Sequence, residues 1–255
     1  MSVKSAQRIL DFLGYFASSR APASLTELSE ALGLPKSSCL ALISTLEQSG
    51  YLYQVHPRVG YYPTTRWYDQ ARVIAAHDPV IHRLDPFMRK LRDRTGETVI
   101  LGRRAGNRVV YIAVLESEQT VRYTAYPGQL KPLYGTASGK AVLASLDVER
   151  RRRLLRELPL KPFTPRTITA VEAIERDLER GAARGWHHSV GEHVPDVTAI
   201  AAIVEIQDDY VLVVAGPTHR MSRTLEATGA AVARACRDVE AAGRPARTVR
   251  GRGRC

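Results

Sequence analysis

Residues 33–52 read GLPKSSCLALISTLEQSGYL. Gly33 and Pro35 break the chain at its start and Gly50 ends it. Pro35 fits the first turn of a helix, where its missing amide leaves no bond unmade. Cys39, Leu42, Ile43 and Leu46 recur at i, i+3, i+4 and i+7, which is one apolar helix face. Lys36, Ser37, Ser38, Ala41 and Ser44 fall on the other side. Two readings are open: a well-capped core helix, or a helix that packs with one face and reads DNA with the other.

The flanking sequence favours the second. Upstream, Leu10, Leu13 and Phe16 have helical spacing and predict a helix over 5–17. Ser24 and Glu27 form a capping box for a second helix running to about Leu32, and Gly33 suits the left-handed turn that ends it. Downstream, YLYQV and VGYYP flank His56-Pro57-Arg58 as a two-stranded hairpin. Helix, helix, tight turn, helix, hairpin is the order of a winged helix-turn-helix. In that arrangement the start of the second helix of the pair enters the major groove. Its amides and serine hydroxyls can hold phosphate there, and Lys36 adds charge.

Past this segment, residues 65–77 predict a linker helix that stops before Pro79. Leu84, Phe87, Met88 and Leu91 predict another helix, ending near Gly96. ETVILGRR, RVVYIAVLE and QTVRYTAY then read as strands. GTASGKAVLASL reads as a helix, Asp147 as the cap of an arginine-rich one, and ITAVEAIERDLERGAARG as an amphipathic helix stopped by Gly185. TAIAAIVEI and YVLVVAG are strands joined at Gln207-Asp208-Asp209, and residues 222–242 form a last helix. Helices on a mostly antiparallel sheet make this part α+β. The predicted organisation is a DNA-binding domain over 1–64, a linker helix over 65–79, a second domain over 80–242, and a basic tail over 243–255. The tail lacks apolar periodicity and reads as disordered.

At 255 residues the chain is long enough for two domains. Its net charge of +11 invites a nucleic-acid partner, yet the charge does not locate a DNA-binding face. Residues 1–65 hold five basic residues (Lys4, Arg8, Arg20, Lys36, Arg58) against four acidic ones (Asp11, Glu27, Glu30, Glu47). Much of the excess lies at Arg150–Arg153 and at Arg244, Arg247, Arg250, Arg252 and Arg254. Cys39, Cys236 and Cys255 are far apart and odd in number, so neither a disulfide framework nor a metal knuckle is expected, and a reducing cytoplasm is the default. No apolar run reaches membrane-spanning length and MSVKSAQRIL lacks a signal-peptide pattern.

SVKSAQRILDFL, LTELSEALGLPKSS, TLEQSGYL and GYYP, followed in order by GETVILGRR, VVYIAVLES, PLYGTASGKAVLA, RGWHHSVGE, AIAAIV and AGPTHRM, resemble the IclR family of bacterial transcriptional regulators. The resemblance covers nearly the whole chain before the tail. It implies a winged helix-turn-helix domain, a linker helix and a GAF-like antiparallel-sheet domain that binds a small organic effector. It also implies dimers or dimers of dimers on palindromic operator DNA. One departure stands out. Recognition helices of the family usually read Thr/Ser-Val-Tyr-Arg-Leu-Leu, whereas this chain has Ser38-Cys39-Leu40-Ala41-Leu42-Ile43. Ala41 replaces an arginine suited to base or phosphate contact. Readout is therefore expected from Lys36, Ser37, Ser38, Leu40 (against a thymine methyl), Ala41, Ser44 and the wing residue Arg58.

For the effector, the resemblance points first to Ala137 and Ser138 at the start of a helix, then to Thr120 and Tyr123 on the preceding strand. Ser189, Val197, Ala199, Val213 and Ala215 complete the expected pocket. Where some members place serines on the last strand, this chain has Val213 and Ala215, which favours an aromatic or partly apolar effector. Gly135 and Gly139 enclose three residues and Ala141 follows Lys140, so the segment is not a Walker phosphate loop. His187, His188, Glu192 and His193 form the one metal-like cluster, but adjacent histidines on a strand point to opposite faces. No metal, cofactor or catalytic set is expected. Two alternatives remain: an enzyme with an accessory DNA-binding domain, and an architectural DNA binder that uses the arginine-rich tail.

Overall fold

The computed structural model describes residues 3–206 and 209–242. The chain divides at Pro79/Val80 into two compact units. The first contains α1 (Lys4–Ser19), α2 (Leu25–Ala31) and α3 (Lys36–Gln48). An antiparallel hairpin of β1 (Leu52–His56) and β2 (Gly60–Pro63) follows, then α4 (Arg66–Ala76). Ser24 and Glu27 form the expected capping box: the Ser24 amide donates to Glu27 Oε2 at 2.8 Å and the Glu27 amide to Ser24 Oγ at 3.3 Å. Gly33 takes φ +60°, and Ser29 Oγ donates to the Leu34 carbonyl at 2.6 Å, fixing the turn between α2 and α3. Pro35 lies one residue earlier than its sequence suggests. It is the N-cap of α3, and its carbonyl accepts from Cys39 N at 3.0 Å.

Phe12, Phe16, Leu28, Cys39, Ile43, Leu46 and Leu52 make the core of this unit, with Leu42 half-buried at its edge. The hairpin is tied to the α1–α2 connection. Ala23 and Tyr61 exchange backbone hydrogen bonds at 3.0 and 2.8 Å. Gly60, at φ +105°, makes that approach possible, since a Cβ there would lie 2.2 Å from the Ala23 carbonyl oxygen.

The second unit opens with α5 (Pro79–Thr95), followed by β3 (Thr98–Ala105), β4 (Arg108–Leu115) and the short β5 (Leu130–Pro132). Three helices follow, α6 (Ala137–Ser145), α7 (Val148–Glu157) and α8 (Val171–Arg184). Then come β6 (His187–Val190), β7 (Val197–Glu205), β8 (Asp209–Pro217), α9 (Thr218–Met221) and α10 (Leu225–Ala242). The strands form one antiparallel sheet in the order β5-β4-β3-β8-β7-β6. Asp147 caps α7 by accepting from Arg150 N at 2.8 Å, and Gly185, at φ +82°, ends α8. The expected last helix over 222–242 is α10, which starts at Leu225, and the short α9 precedes it. Gln207 and Asp208 of the expected turn and the expected tail lie outside the described residues.

One expected strand is absent. QTVRYTAY runs through an irregular segment between β4 and β5. The carbonyls a strand would pair are taken by side chains: Thr98 Oγ1 donates to Tyr123 O at 2.6 Å and Arg220 Nη2 to Val121 O at 2.8 Å. Arg220 is itself fixed by a bidentate pair with the buried Glu97 at 2.7 and 2.9 Å.

Helices cover both faces of the sheet. Val99, Leu101, Ile200, Ala202, Leu212 and Val214 pack under α5 and α10. Their neighbours Ile100, Ala201, Val211, Val213 and Ala215 pack under α6, α7 and α8. Double-sided burial is why β7 and β8 are almost continuously apolar instead of alternating with polar residues. Helix α6 lies close to the chain that leads into it: a Cβ on Gly139 would sit 2.3 Å from the Leu133 carbonyl oxygen. Backbone cannot move aside as a side-chain tip can. Gly139→Ala is therefore expected to destabilise the protein by about 1–3 kcal/mol, seen as a lower urea midpoint with an unchanged slope. An unchanged midpoint would refute the close approach.

Candidate functional site

Helix α3 presents two faces, as its sequence suggests. Cys39 and Ile43 are fully buried. Burial raises the Cys39 thiol above its ordinary pKa, so it is a packing group rather than a thiolate. On the other side Lys36, Ser37, Leu40 and Ala41 are exposed, while Ser38 and Ser44 are half-buried. Ser44 Oγ already accepts from Gln48 Nε2 at 3.1 Å. Leu40 is 48% exposed, an apolar side chain held out in water at the centre of this face. Arg58 is exposed at the hairpin turn.

In the second unit, a pocket opens where α6 starts above the sheet. Its floor is Val197, Ala199, Val213 and Ala215 of β7 and β8, and its walls include Tyr111, Tyr123, Lys131, Ala137, Ser138, Ser189 and His193. It encloses about 390 Å³ of space between atoms when the open solvent at its mouth is counted. Thr136 caps α6 by accepting from Gly139 N at 3.0 Å, and Ser189 Oγ donates to the Gly135 carbonyl at 2.8 Å, joining β6 to the turn before the helix. Burial holds the Tyr111 phenol above its ordinary pKa, with Tyr123 adding to the effect, so Tyr111 is neutral. His193 is pushed below the ordinary histidine value, mainly by burial and then by the Lys131 charge.

Residues 72–241 match the family described as "Bacterial transcriptional regulator IclR C-terminal", and residues 5–56 match the IclR helix-turn-helix domain. The chain belongs to the IclR family. It is 31% identical to the HTH-type transcriptional repressor AllR of Escherichia coli over 86% of this chain and 82% of AllR. An IclR transcriptional regulator from Alicyclobacillus acidocaldarius shares the fold with a TM-score of 0.78 and 28% identity, over 94% of this chain and 99% of that one. An IclR homologue from Microbacterium hydrocarbonoxydans, complexed with 4-hydroxybenzoate, has a TM-score of 0.76 and 21% identity, over 93% and 98%. This IclR protein is thus a DNA-binding transcriptional regulator with a helix-turn-helix domain and a C-terminal effector-binding domain. Among the described residues no helix is long and apolar enough to cross a membrane.

The IclR pocket gathers eight of the nine expected effector residues: Tyr123, Ala137, Ser138, Ser189, Val197, Ala199, Val213 and Ala215. Thr120 is the exception. It is exposed in the irregular segment and lies outside the lining, and neither it nor Tyr123 is on a strand. Sequence reasoning missed Tyr111, Lys131, Thr136, His193 and Val194. Tyr111 carried a signal, since it stands two residues from the buried Val109 on β4 and so shares its face. Lys131, beside a proline on a three-residue strand, reads as an ordinary surface lysine.

Behind the pocket, the residue after Gly139 is a buried cation. Lys140 is 2% exposed; its Nζ lies 2.7 Å from Asp177 of α8 and 2.5 Å from Glu192, and donates to the His188 carbonyl at 3.1 Å. His187, by contrast, has no partner for Nδ1 among the described residues. Burial lowers its pKa from 6.5 to about 4, so the folded protein keeps it neutral. No group of three or more His, Cys, Asp or Glu among the described residues is placed to hold a metal ion.

His187 carries a stability signature. Its folded pKa lies below the unfolded value, so stability present above pH 6.5 is lost as pH falls toward about 4. Glu192, raised by burial, acts in the opposite sense, its stability falling as pH rises above 4.5. Comparing variants isolates the histidine. His187→Gln is expected to lose less stability than wild type between pH 6.5 and about 4, by up to about 3 kcal/mol at about 1.4 kcal/mol per pH unit. Urea titrations at both pH values measure this, and parallel losses would refute it.

Proposed function

We propose that this regulator binds palindromic operator DNA as a homodimer or dimer of dimers in the cytoplasm, and that it acts by binding its effector rather than by converting it. Residues 1–64 form the DNA-reading domain, 65–79 the linker and 80–242 the effector domain. The observation that carries the DNA reading is the division of α3 into a buried apolar face and an exposed face headed by Lys36 and Ser37, with Ser38 half-buried beside them. A two-fold assembly presents two such helices to two half-sites, with spacing set by its geometry. Lys36, the serines and Arg58 take phosphate and base edges, and the exposed Leu40 takes a thymine methyl. With Ala41 in the middle of the face, base contacts are few and phosphate contacts carry much of the affinity.

The effector is aromatic or otherwise partly apolar. Ala199, Val213 and Ala215 give the pocket an apolar floor, and Tyr111 and Tyr123 supply ring edges and faces at its wall. The Microbacterium homologue was solved with an aromatic molecule; here the reading rests on the lining itself. Effector binding alters operator affinity only so far as it favours one arrangement of the protein over another.

The test uses an operator selected by the full-length protein from a random duplex pool. The Lys36→Ala/Ser38→Ala double variant is expected to bind it at least about tenfold more weakly, with a salt slope shallower by about one and an unchanged circular dichroism spectrum. Wild-type affinity in that variant would sink the assignment of α3.

A further inference from the structure

One charge lining the pocket has no counter-charge among the described residues. Lys131 is 5% exposed and lines the pocket. No aspartate or glutamate is among the lining residues, and the Lys131 side chain has neither an ion pair nor a hydrogen bond among the described residues. Its ammonium instead sits 5.6 Å from the ring centre of Tyr111 and 5.8 Å from that of Tyr123. Aromatic faces attract a cation, but neither ring supplies the negative charge that would pair with an ammonium. Asp177 and Glu192 are engaged elsewhere, both on Lys140. His193 and Tyr111 are neutral, so the lining carries a net positive charge near neutral pH. An ammonium that lines a pocket with no carboxylate of its own is placed to take one from a ligand.

The rest of the wall narrows the ligand. The amides of Ala137 and Ser138, in the first turn of α6, have no acceptor among the described residues, so an oxygen-bearing substituent would find donors there. Ala199, Val213 and Ala215 offer no hydrogen bonds from their side chains and accept a flat apolar body. We infer that Lys131 is the residue that selects the effector by charge, and that the effector is a single-ring aromatic carboxylate whose carboxylate pairs with the Lys131 ammonium. The inference rests on the reading of this pocket as the effector site.

Calorimetry on the full-length protein tests it with benzoate and 4-hydroxybenzoate, each beside its uncharged primary amide, against wild type, Lys131→Met and Ala199→Leu. Wild type is expected to bind at least one acid and to bind its amide at least about tenfold more weakly. In Lys131→Met the acid weakens roughly ten- to a hundredfold, the range of a charged hydrogen bond, while affinity for the amide stays the same. Ala199→Leu, which fills the floor, weakens both. The ligand-free Lys131→Met protein is expected to melt no lower than wild type, because the Lys131 side chain makes no ion pair or hydrogen bond that the change would remove; a lower melting point would make Lys131 structural and overturn the inference. Acid binding retained in Lys131→Met but lost in Ala199→Leu overturns the role of Lys131 and leaves the pocket standing. Acid binding indifferent to Ala199→Leu removes the pocket reading itself. Failure of wild type to bind either acid overturns the ligand class.

Discussion

The Lys140 ammonium is shut away from water and meets two carboxylates. Asp177 comes from α8 and Glu192 from the connection after β6, so one charged group fastens three separate parts of the second unit together. Removing one member of such a set strands the others without water, which typically costs about 3–5 kcal/mol. The geometry of the pocket follows from this fastening. Lys140 is in the first turn of α6, directly after Ser138 and Gly139, so the helix start is held at the height its charge requires. Gly139 then lets that start lie against the Leu133 backbone, and Ser189 ties the turn to β6.

The first unit relies on a different constraint. Its core is small, and the hairpin gains its place through two backbone hydrogen bonds to Ala23, reached only because residue 60 has no side chain. The turn between α2 and α3 is held by the Ser29 hydroxyl and Gly33. Local polar contacts therefore set how α3 is presented, and the buried stripe of Cys39, Ile43 and Leu46 keeps it seated.

The sequence was most readable where structure is decided locally. The Ser24–Glu27 box, the Asp147 cap and the Gly185 stop each depend on residues within one turn, and each formed as expected. The apolar stripe of α3 and the strands β7 and β8 were legible because burial repeats at a fixed period. What failed to show was settled by distant residues. QTVRYTAY has strand-like composition, yet Thr98 and Arg220 claim its carbonyls. Thr120, which the resemblance put in the pocket, is exposed outside it. Lys140 could be excluded from a Walker loop by spacing, but its partners lie 37 and 52 residues further on, counted from 140 to 177 and to 192. Nothing in the immediate sequence separates the buried Lys131 from a solvated lysine.

Double-sided burial of the sheet has a mechanical consequence. Along β7, Ala199 forms pocket floor while Ile200, the next residue, packs beneath the opposite helical layer. Along β8, Val213 and Ala215 flank Val214 in the same way. Consecutive residues share one backbone, so a strand that shifts under an occupant shifts equally against α5 and α10. The floor of the cavity and the seat of those helices are two sides of one plate.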